Sequence, residues 1–182
     1  MKTLFIVTCA CLVLAVCARP AAGNGADELH VRVRLTTGER SKDSGSQTTT
    51  ITVERDAIVW EQTFGGSSRG RPAPARKAFK LSPADKRKLV ELIRAHSLLV
   101  TDSIELPRAA SNYRYFDVSV DLTLDGKQGA ISISGMRNAV KVREESLYQH
   151  TLALVKELYR IINRHDKSIL YEELILSPPG AK

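Results

Sequence analysis

One stretch decides how this chain folds: Phe79-Lys-Leu-Ser-Pro-Ala-Asp-Lys-Arg-Lys-Leu-Val-Glu-Leu-Ile-Arg-Ala-His-Ser-Leu-Leu99. Ser82 is expected to cap a helix because its hydroxyl can accept an otherwise unpaired backbone N–H, and Pro83 suits the first helical position. Asp85 adds a carboxylate near the positive end of the helix dipole. One face then repeats at helical spacing through Leu89, Leu92, Ile93 and His96. The pattern predicts a packed amphipathic helix and carries no chemistry by itself.

Strand-like segments lie on both sides of this helix. Apolar and polar residues alternate in them, as they do in strands with one buried and one wet face. The predicted strands are Leu29–Leu35, Thr50–Val53, Ile58–Phe64, Phe116–Leu124 and Ala130–Ser134. Asp125-Gly126 separates the last two and is typical of a tight hairpin turn. Trp60, the only tryptophan, is expected in the core.

The remaining internal segments are polar or rich in glycine and proline. They are predicted to be connections, because such residues favour turns over regular structure. These segments are Gly38–Thr49, Gly65–Lys77 and Thr101–Arg114.

A second helix is predicted over Glu144–Arg164. Its core stripe contains Leu147, Leu154, Val155, Leu158, Ile161 and Ile162, and it is widened on one side by Tyr148, Leu152 and Tyr159. A stripe this wide predicts that two other elements pack against the helix. If they do not cover it fully, the three widening residues would form an exposed apolar patch. The segment Ile169–Leu176 is a candidate cover for it.

The element order is β-β-β-α-β-β-α. Hairpins with inserted helices predict an α+β domain, in which an antiparallel sheet of about five strands packs both helices on one face. The polar outer faces of the strands agree with one wet side of the sheet.

The beginning of the chain has the form of a secretory signal peptide. An apolar run, Leu4–Val16, follows Lys2 and precedes small residues, which predicts a leader over 1–18. The run is too short to span a bilayer, which takes about 20 residues. A flexible lead-in over 19–28, a single domain over 29–176 and a loose tail over 177–182 follow. We therefore expect a secreted or periplasmic protein without a transmembrane helix.

Lipid anchoring at the envelope is the alternative to soluble export. Leu14-Ala15-Val16-Cys17 resembles a bacterial lipobox, in which Cys17 would be the lipidated residue. Val16 departs from the pattern, which has Gly, Ala or Ser at that position. All three cysteines, Cys9, Cys11 and Cys17, lie in the leader, so the mature domain is expected to have no disulfide and no thiolate ligand.

The chain is basic, which is typical of a soluble, positively charged surface and leaves an anionic partner as the alternative. Its formal net charge is +7, and cleavage of the leader removes only Lys2, which leaves +6. The segment Gly65–Lys77 contains Arg69, Arg71, Arg76 and Lys77. It is interpreted as a solvated loop or as a mobile basic arm that binds a protein or an anionic envelope partner. Nucleic acid is not expected as a partner, because no stacking motif accompanies the charge.

No residue pattern indicates catalysis, a cofactor or a metal. Nucleophile, phosphate-loop and metal-ligand motifs are absent, and the four histidines have no ligand spacing. His96 and His165 each lie near the end of a helix, so parallel helices would make them neighbours, either as packed rings or as a pH-sensitive or metal-binding pair. Asp117 and Asp121 share a strand face and are interpreted as solvating residues. We therefore assign no catalytic, cofactor-binding or metal residue.

The layout resembles small exported bacterial domains of unknown function. The segments that carry the resemblance are Ile51-Thr-Val53, Ile58-Val-Trp60, Lys80-Leu-Ser-Pro83, Leu98-Leu99 and Phe116-Asp-Val118. The same layout is loosely similar to emfourin-type inhibitors of metalloproteases, over about residues 48 to 164. The resemblance rests on element order, so it implies inhibition of a protease as one form of function and transfers no site residue.

These observations favour an exported non-enzymatic domain that binds a macromolecule or acts as an inhibitor. An envelope-anchored structural lipoprotein is one alternative. An enzyme with a site assembled from dispersed polar residues is the other.

The mature N-terminus tests the predicted leader. We expect intact-mass measurement of the exported protein to give a chain that begins at Arg19, because cleavage after Ala18 follows the small-residue exit of the leader. A diacylglycerol-modified Cys17 at the N-terminus would establish lipid anchoring instead.

Overall fold

A computed structural model describes residues 28–39, 45–66, 72–105, 114–136 and 146–169. The described elements are, in chain order, β1 Leu29–Glu39, β2 Ser46–Glu54, β3 Ala57–Gly65, β4 Ala75–Lys80, α1 Pro83–Ala95, β5 Thr101–Glu105, β6 Arg114–Leu124, β7 Lys127–Met136 and α2 Ser146–His165. The predicted leader, most of the lead-in, the tail 177–182 and all of the candidate cover Ile169–Leu176 except Ile169 lie outside the described residues.

The strands form one mixed sheet of seven strands in the order β4-β3-β2-β1-β6-β7-β5. Every neighbouring pair is antiparallel except β5 and β7, which are parallel. The α+β class is therefore confirmed. The prediction of about five strands, all antiparallel, was wrong in its detail, because two further strands form the two edges of the sheet.

The first of these additional strands, β4, contradicts the prediction that Gly65–Lys77 is entirely a loop. Ala75 pairs with Gln62 and Lys80 pairs with Ala57, so the final residues of the predicted loop are edge strand. The charged side chains of β4 interrupt the apolar alternation by which a strand is predicted from sequence. They also suit an edge, since charged residues there discourage pairing with another chain.

The second additional strand, β5, begins the stretch that was predicted to be a connection, Thr101–Arg114. Its side chains are exposed except for the half-buried Ile104, so it has no apolar alternation to reveal it. It is joined to the sheet where Ala130 donates its backbone N–H to the carbonyl of Val100, at 2.8 Å. A short polar strand at the edge of a sheet also discourages pairing with another chain.

Several predictions of the strands and the first helix are confirmed. Ser82 is the N-cap of α1, and its Oγ accepts a hydrogen bond from the backbone N–H of Asp85 at 3.1 Å. Asp125 and Gly126 have φ angles of 52° and 76°. Positive values at both central residues are typical of the type I′ hairpin turn that their sequence predicted.

The core lies on one face of the sheet, beneath the two helices. Strictly alternating residues of the central strands are buried there, including Val31, Val33, Ile51, Val53, Val118, Val120, Leu122, Ile131 and Ile133. Trp60 is only 7% exposed, so its predicted place in the core is confirmed. A one-residue slip of any central strand would move its apolar side chains to the opposite, solvated face, and this fixes the register.

Gly129 of β7 allows the segment after α1 to pass closely over the sheet. A Cβ atom there would lie 2.8 Å from both the carbonyl oxygen of Leu98 and the Cα of Leu99, and 2.9 Å from the backbone nitrogen of Val100. All three are backbone atoms, so they cannot move aside as a flexible side chain would. The glycine is therefore what lets this segment reach β5.

Gly129→Ala is expected to destabilise the protein by about 1–3 kcal/mol, because an added methyl group must push the backbone of residues 98–100 away from the sheet. Chemical denaturation monitored by Trp60 fluorescence measures the change. Ala130→Gly, at the exposed neighbouring position, is the control for altered strand propensity alone, expected to cost about 0.5–1 kcal/mol. An equal effect of both substitutions would contradict the close approach.

Candidate functional site between the two helices

The two helices run antiparallel, and contacts at both ends establish this. Asp85, in the first turn of α1, accepts a hydrogen bond from Arg164, in the last turn of α2, at 2.5 Å. At the other end, His96, the C-cap of α1, contacts His150 of α2, with the ring centroids 4.3 Å apart. We call the residues that meet along this line the helix seam: Asp85, Lys88, His96, His150, Glu157, Arg160 and Arg164.

The condition under which His96 and His165 would be neighbours, parallel helices, is not met in the structure. His165 lies at the opposite end of the seam from His96. Its ring stacks on Phe79 of β4, with the centroids 5.5 Å apart and the planes 18° apart. The partner of His96 is instead His150, which the sequence did not single out.

Two carboxylates are buried in the helix seam. Asp85 is 6% exposed and Glu157 is 7% exposed. Burial of a charged group is costly unless it is paired. Both positions follow the 3.6-residue repeat that directs side chains of α1 and α2 toward each other, so the helix geometry places these carboxylates between the helices.

Three basic side chains neutralise the two carboxylates. Arg160 donates from Nε and Nη2 to the two oxygens of Glu157, at 2.8 and 2.5 Å, and Lys88 Nζ lies 3.2 Å from the same carboxylate. Arg164 binds Asp85, and Arg160 approaches the same Asp85 oxygen at 3.6 Å. The cations remain about half exposed, which leaves their remaining donors in contact with water.

These contacts keep both carboxylates ionised. Burial alone would raise the pKa of Asp85, but hydrogen bonds from Ser82 and Arg164, together with the charges of Arg164 and Arg160, outweigh it and lower that pKa. The hydrogen bond from Arg160 is the main cause that lowers the pKa of Glu157, against the opposing effect of burial. The same bond to Glu157 raises the pKa of Arg160. A carboxylate held in this state is a poor general acid near neutral pH.

A separate ion pair fastens the edge strand β4 to the end of α2. Lys77 Nζ donates to Asp166 at 2.6 Å, and Ser168 donates to the other carboxylate oxygen from both its hydroxyl and its backbone N–H. The hydrogen bond from Lys77, followed by those from Ser168, lowers the pKa of Asp166 to about 2.

The residues of the predicted basic arm do not form one surface in the structure. Arg76 lies beside Lys77 in β4, so the two side chains project to opposite faces of the sheet. Arg76 binds Glu61 at 2.7 Å on the solvated face, whereas Lys77 binds Asp166 on the helix side. Arg69 and Arg71 lie outside the described residues, and the predicted lipidation site, Cys17, does too.

The residues that widened the apolar stripe of α2 belong to the core. Tyr148 and Tyr159 are buried and Leu152 is half-buried against the core. Among the described residues Val100, 38% exposed, is the only large apolar side chain on the surface. Asp117 and Asp121 are exposed on the solvated face of β6, as expected for solvating residues.

The two faces of the domain differ in charge. The helices α1 and α2 contain seven Lys or Arg and three Asp or Glu, which gives a net charge of +4. The described side chains on the opposite, open face of the sheet give −1, from four cations (Arg32, Arg34, Arg76 and Lys80) and five anions (Glu54, Glu61, Glu105, Asp117 and Asp121). The basic surface is therefore the one formed by α1 and α2, which we call the helix layer.

The helix layer also holds cations that no described residue neutralises. Because Asp85 and Glu157 are buried, Glu91 is the one acidic side chain on the exposed surface of the two helices. Lys86, Arg87 and Lys156 of the helices, and Lys167 just after the end of α2, form no ion pair with the described residues. The basic residues of α1 and those of α2 become one surface only when the two helices pack side by side, which the sequence does not show.

No protein-family model and no curated protein matches this chain. Within the described ranges, no helix is long and apolar enough to cross a membrane. Over the same residues, no group of three or more His, Cys, Asp or Glu side chains is placed to hold a metal ion.

The buried carboxylates predict how stability depends on pH. Because the folded pKa values of Asp85 and Glu157 are lowered, their contribution is present above the unfolded pKa values, about 4, and is lost as the pH falls through the folded values. Glu157→Gln is therefore expected to lower the free energy of unfolding at pH 7 by about 1–2 kcal/mol, and by less at pH 3.

Urea denaturation at both pH values measures this difference. Glu91→Gln, an exposed substitution on α1 that also removes one charge, is the matched control and should change stability by less than about 0.5 kcal/mol. A Glu157→Gln effect that is the same at pH 3 and pH 7 would rule out the ionic role of the seam.

Proposed function

We propose that this protein is an exported, non-enzymatic domain that binds an acidic surface of another protein through its helix layer. The observation that carries the proposal is the charge difference between the two faces, +4 on the helices against −1 on the open face of the sheet. Complementary charge of this kind accelerates encounter and orients partners.

The pairing within the seam makes the surface suitable for docking. Arg160 and Arg164 each point one side of the guanidinium at a buried carboxylate and remain 44% and 48% exposed. Their positions are thus fixed before any partner arrives, so less side-chain entropy is lost on binding. Lys86, Arg87, Lys156 and Lys167 supply cations whose charge is not already used within the described part of the chain.

A protein partner agrees better with this surface than a membrane does. Proteins that lie in the membrane interface insert apolar side chains below the head groups. On the described surface only Val100 is a large exposed apolar residue, and it follows α1 rather than lying within the helix layer. Inhibition of a protease, which the resemblance to emfourin-type inhibitors implies, is one form that such binding could take.

Binding to labelled poly-L-glutamate, an acidic polypeptide, tests the role of the helix layer. The triple variant Lys86→Gln/Arg87→Gln/Lys156→Gln is expected to bind at least about tenfold more weakly than the natural domain at low salt, because each removed charge weakens attraction within the Debye length. Fluorescence anisotropy measures the affinity.

The matched control is Arg32→Gln/Arg34→Gln/Lys80→Gln, which removes three cations from the open face and changes the net charge equally. We expect it to retain affinity within about twofold, because its positions lie across the sheet from the binding layer. Equal losses in both variants would overturn the helix-layer assignment. Binding to phosphatidylglycerol vesicles without binding to poly-L-glutamate would replace the protein partner with a lipid surface.

A further inference from the structure

We infer that His96 and His150 form a binding site for a transition-metal ion, with Zn²⁺, Cu²⁺ and Ni²⁺ as the chemical class of ligand. The inference does not depend on the proposed partner. It rests on the contact of two imidazoles from different helices, with the ring centroids 4.3 Å apart and the planes tilted by 35°. Imidazole nitrogen is a preferred ligand of all three ions.

The ring separation is within a small side-chain movement of shared coordination. Zn–N bonds are about 2.0–2.1 Å long, so two nitrogens on one tetrahedral ion lie about 3.3 Å apart. Because each ring nitrogen lies about 1.1 Å from its ring centroid, two imidazoles on one such ion have centroids about 5 Å apart. The rings of His96 and His150, now 4.3 Å apart, must therefore turn about their side-chain torsions and separate slightly to share an ion. The tilt means that the rings are not stacked face to face in parallel, so one pair of ring edges is closer together than the other.

The backbone that carries the two rings is held by independent contacts. His96 is the C-cap of α1, where its N–H donates to the carbonyl of Leu92 at 3.0 Å and the next N–H, that of Ser97, donates to the carbonyl of Arg94 at 3.1 Å. His150 lies within α2, whose position against α1 is fixed at the far end of the seam by the pair of Asp85 and Arg164. Preorganised ligands lose less entropy when the ion binds, which favours a site here.

The rings are also accessible. Both His96 and His150 are half-buried rather than sealed in the core. The nearest cation in sequence, Arg94, donates to Asp125 at 2.7 Å, so part of its charge is compensated.

The other histidines provide the comparison. His30 lies on the open face of the sheet, and His165 stacks on Phe79. Among the described residues, neither His30 nor His165 therefore has a second histidine ring in contact with it. Two protein ligands leave two tetrahedral positions for water or for an exogenous group, as in metal sites that keep open positions.

Such an ion would connect the end of α1 to the beginning of α2. The described seam is ionic at the end that holds Asp85, Glu157, Arg160 and Arg164, whereas the rings of His96 and His150 meet at its other end. Metal binding would therefore add a second fixed point to the helix pair, and it should raise the thermal stability of the domain.

Isothermal titration of the mature domain with ZnCl₂, at pH 7.5, tests the site. We expect one ion per chain, and at least about a tenfold loss of affinity in either His96→Asn or His150→Asn. The double variant His30→Asn/His165→Asn removes both other histidines and should retain the affinity. Circular dichroism of each metal-free variant verifies that it is folded.

A second measurement uses Cu²⁺, whose electron paramagnetic resonance spectrum reports coordinated nitrogen. The natural domain is expected to show two equivalent imidazole nitrogens, and His150→Asn one at most. If the natural domain binds no metal, or if the His30→Asn/His165→Asn variant loses affinity as much as His96→Asn, the inference is overturned.

Discussion

Two carboxylates buried between two helices set the constraint on which this structure depends. Asp85 and Glu157 can remain ionised there only while Arg160, Arg164 and Lys88 face them. Buried ion pairs are weak sources of net stability, but separation of their partners is strongly unfavourable, so they specify arrangement. Here they specify that α1 and α2 run antiparallel, with the beginning of one beside the end of the other.

The other features of the helix layer follow from that direction. The antiparallel arrangement brings His96 to His150, and the same layer covers the apolar face of the sheet. Burial of two of the three helix acids leaves an outer surface whose charge is largely positive. The open face of the sheet, in contrast, alternates cations with anions. The burial of these two carboxylates between the helices thus contributes to the charge difference between the two faces, on which the proposed function rests.

Local patterns in the sequence predicted the elements whose signals are themselves local. The Ser82 cap, the Asp125-Gly126 turn and the alternation of the central strands depend on residues a few positions apart, and the structure has all three. The two edge strands escaped prediction because edges are exposed, and an exposed strand needs no apolar alternation. Pairing with β3 and β7 creates them.

The candidate site escaped prediction for a different reason. The pairing of helix residues depends on the direction in which the helices cross, and the one signal of it in the sequence is the charge of Glu157 within the apolar stripe of α2. The most direct test of the antiparallel seam is the nuclear Overhauser spectrum of the four histidine rings. We expect cross-peaks between ring protons of His96 and His150, and between those of His165 and Phe79. Cross-peaks between His96 and His165 would contradict the antiparallel seam.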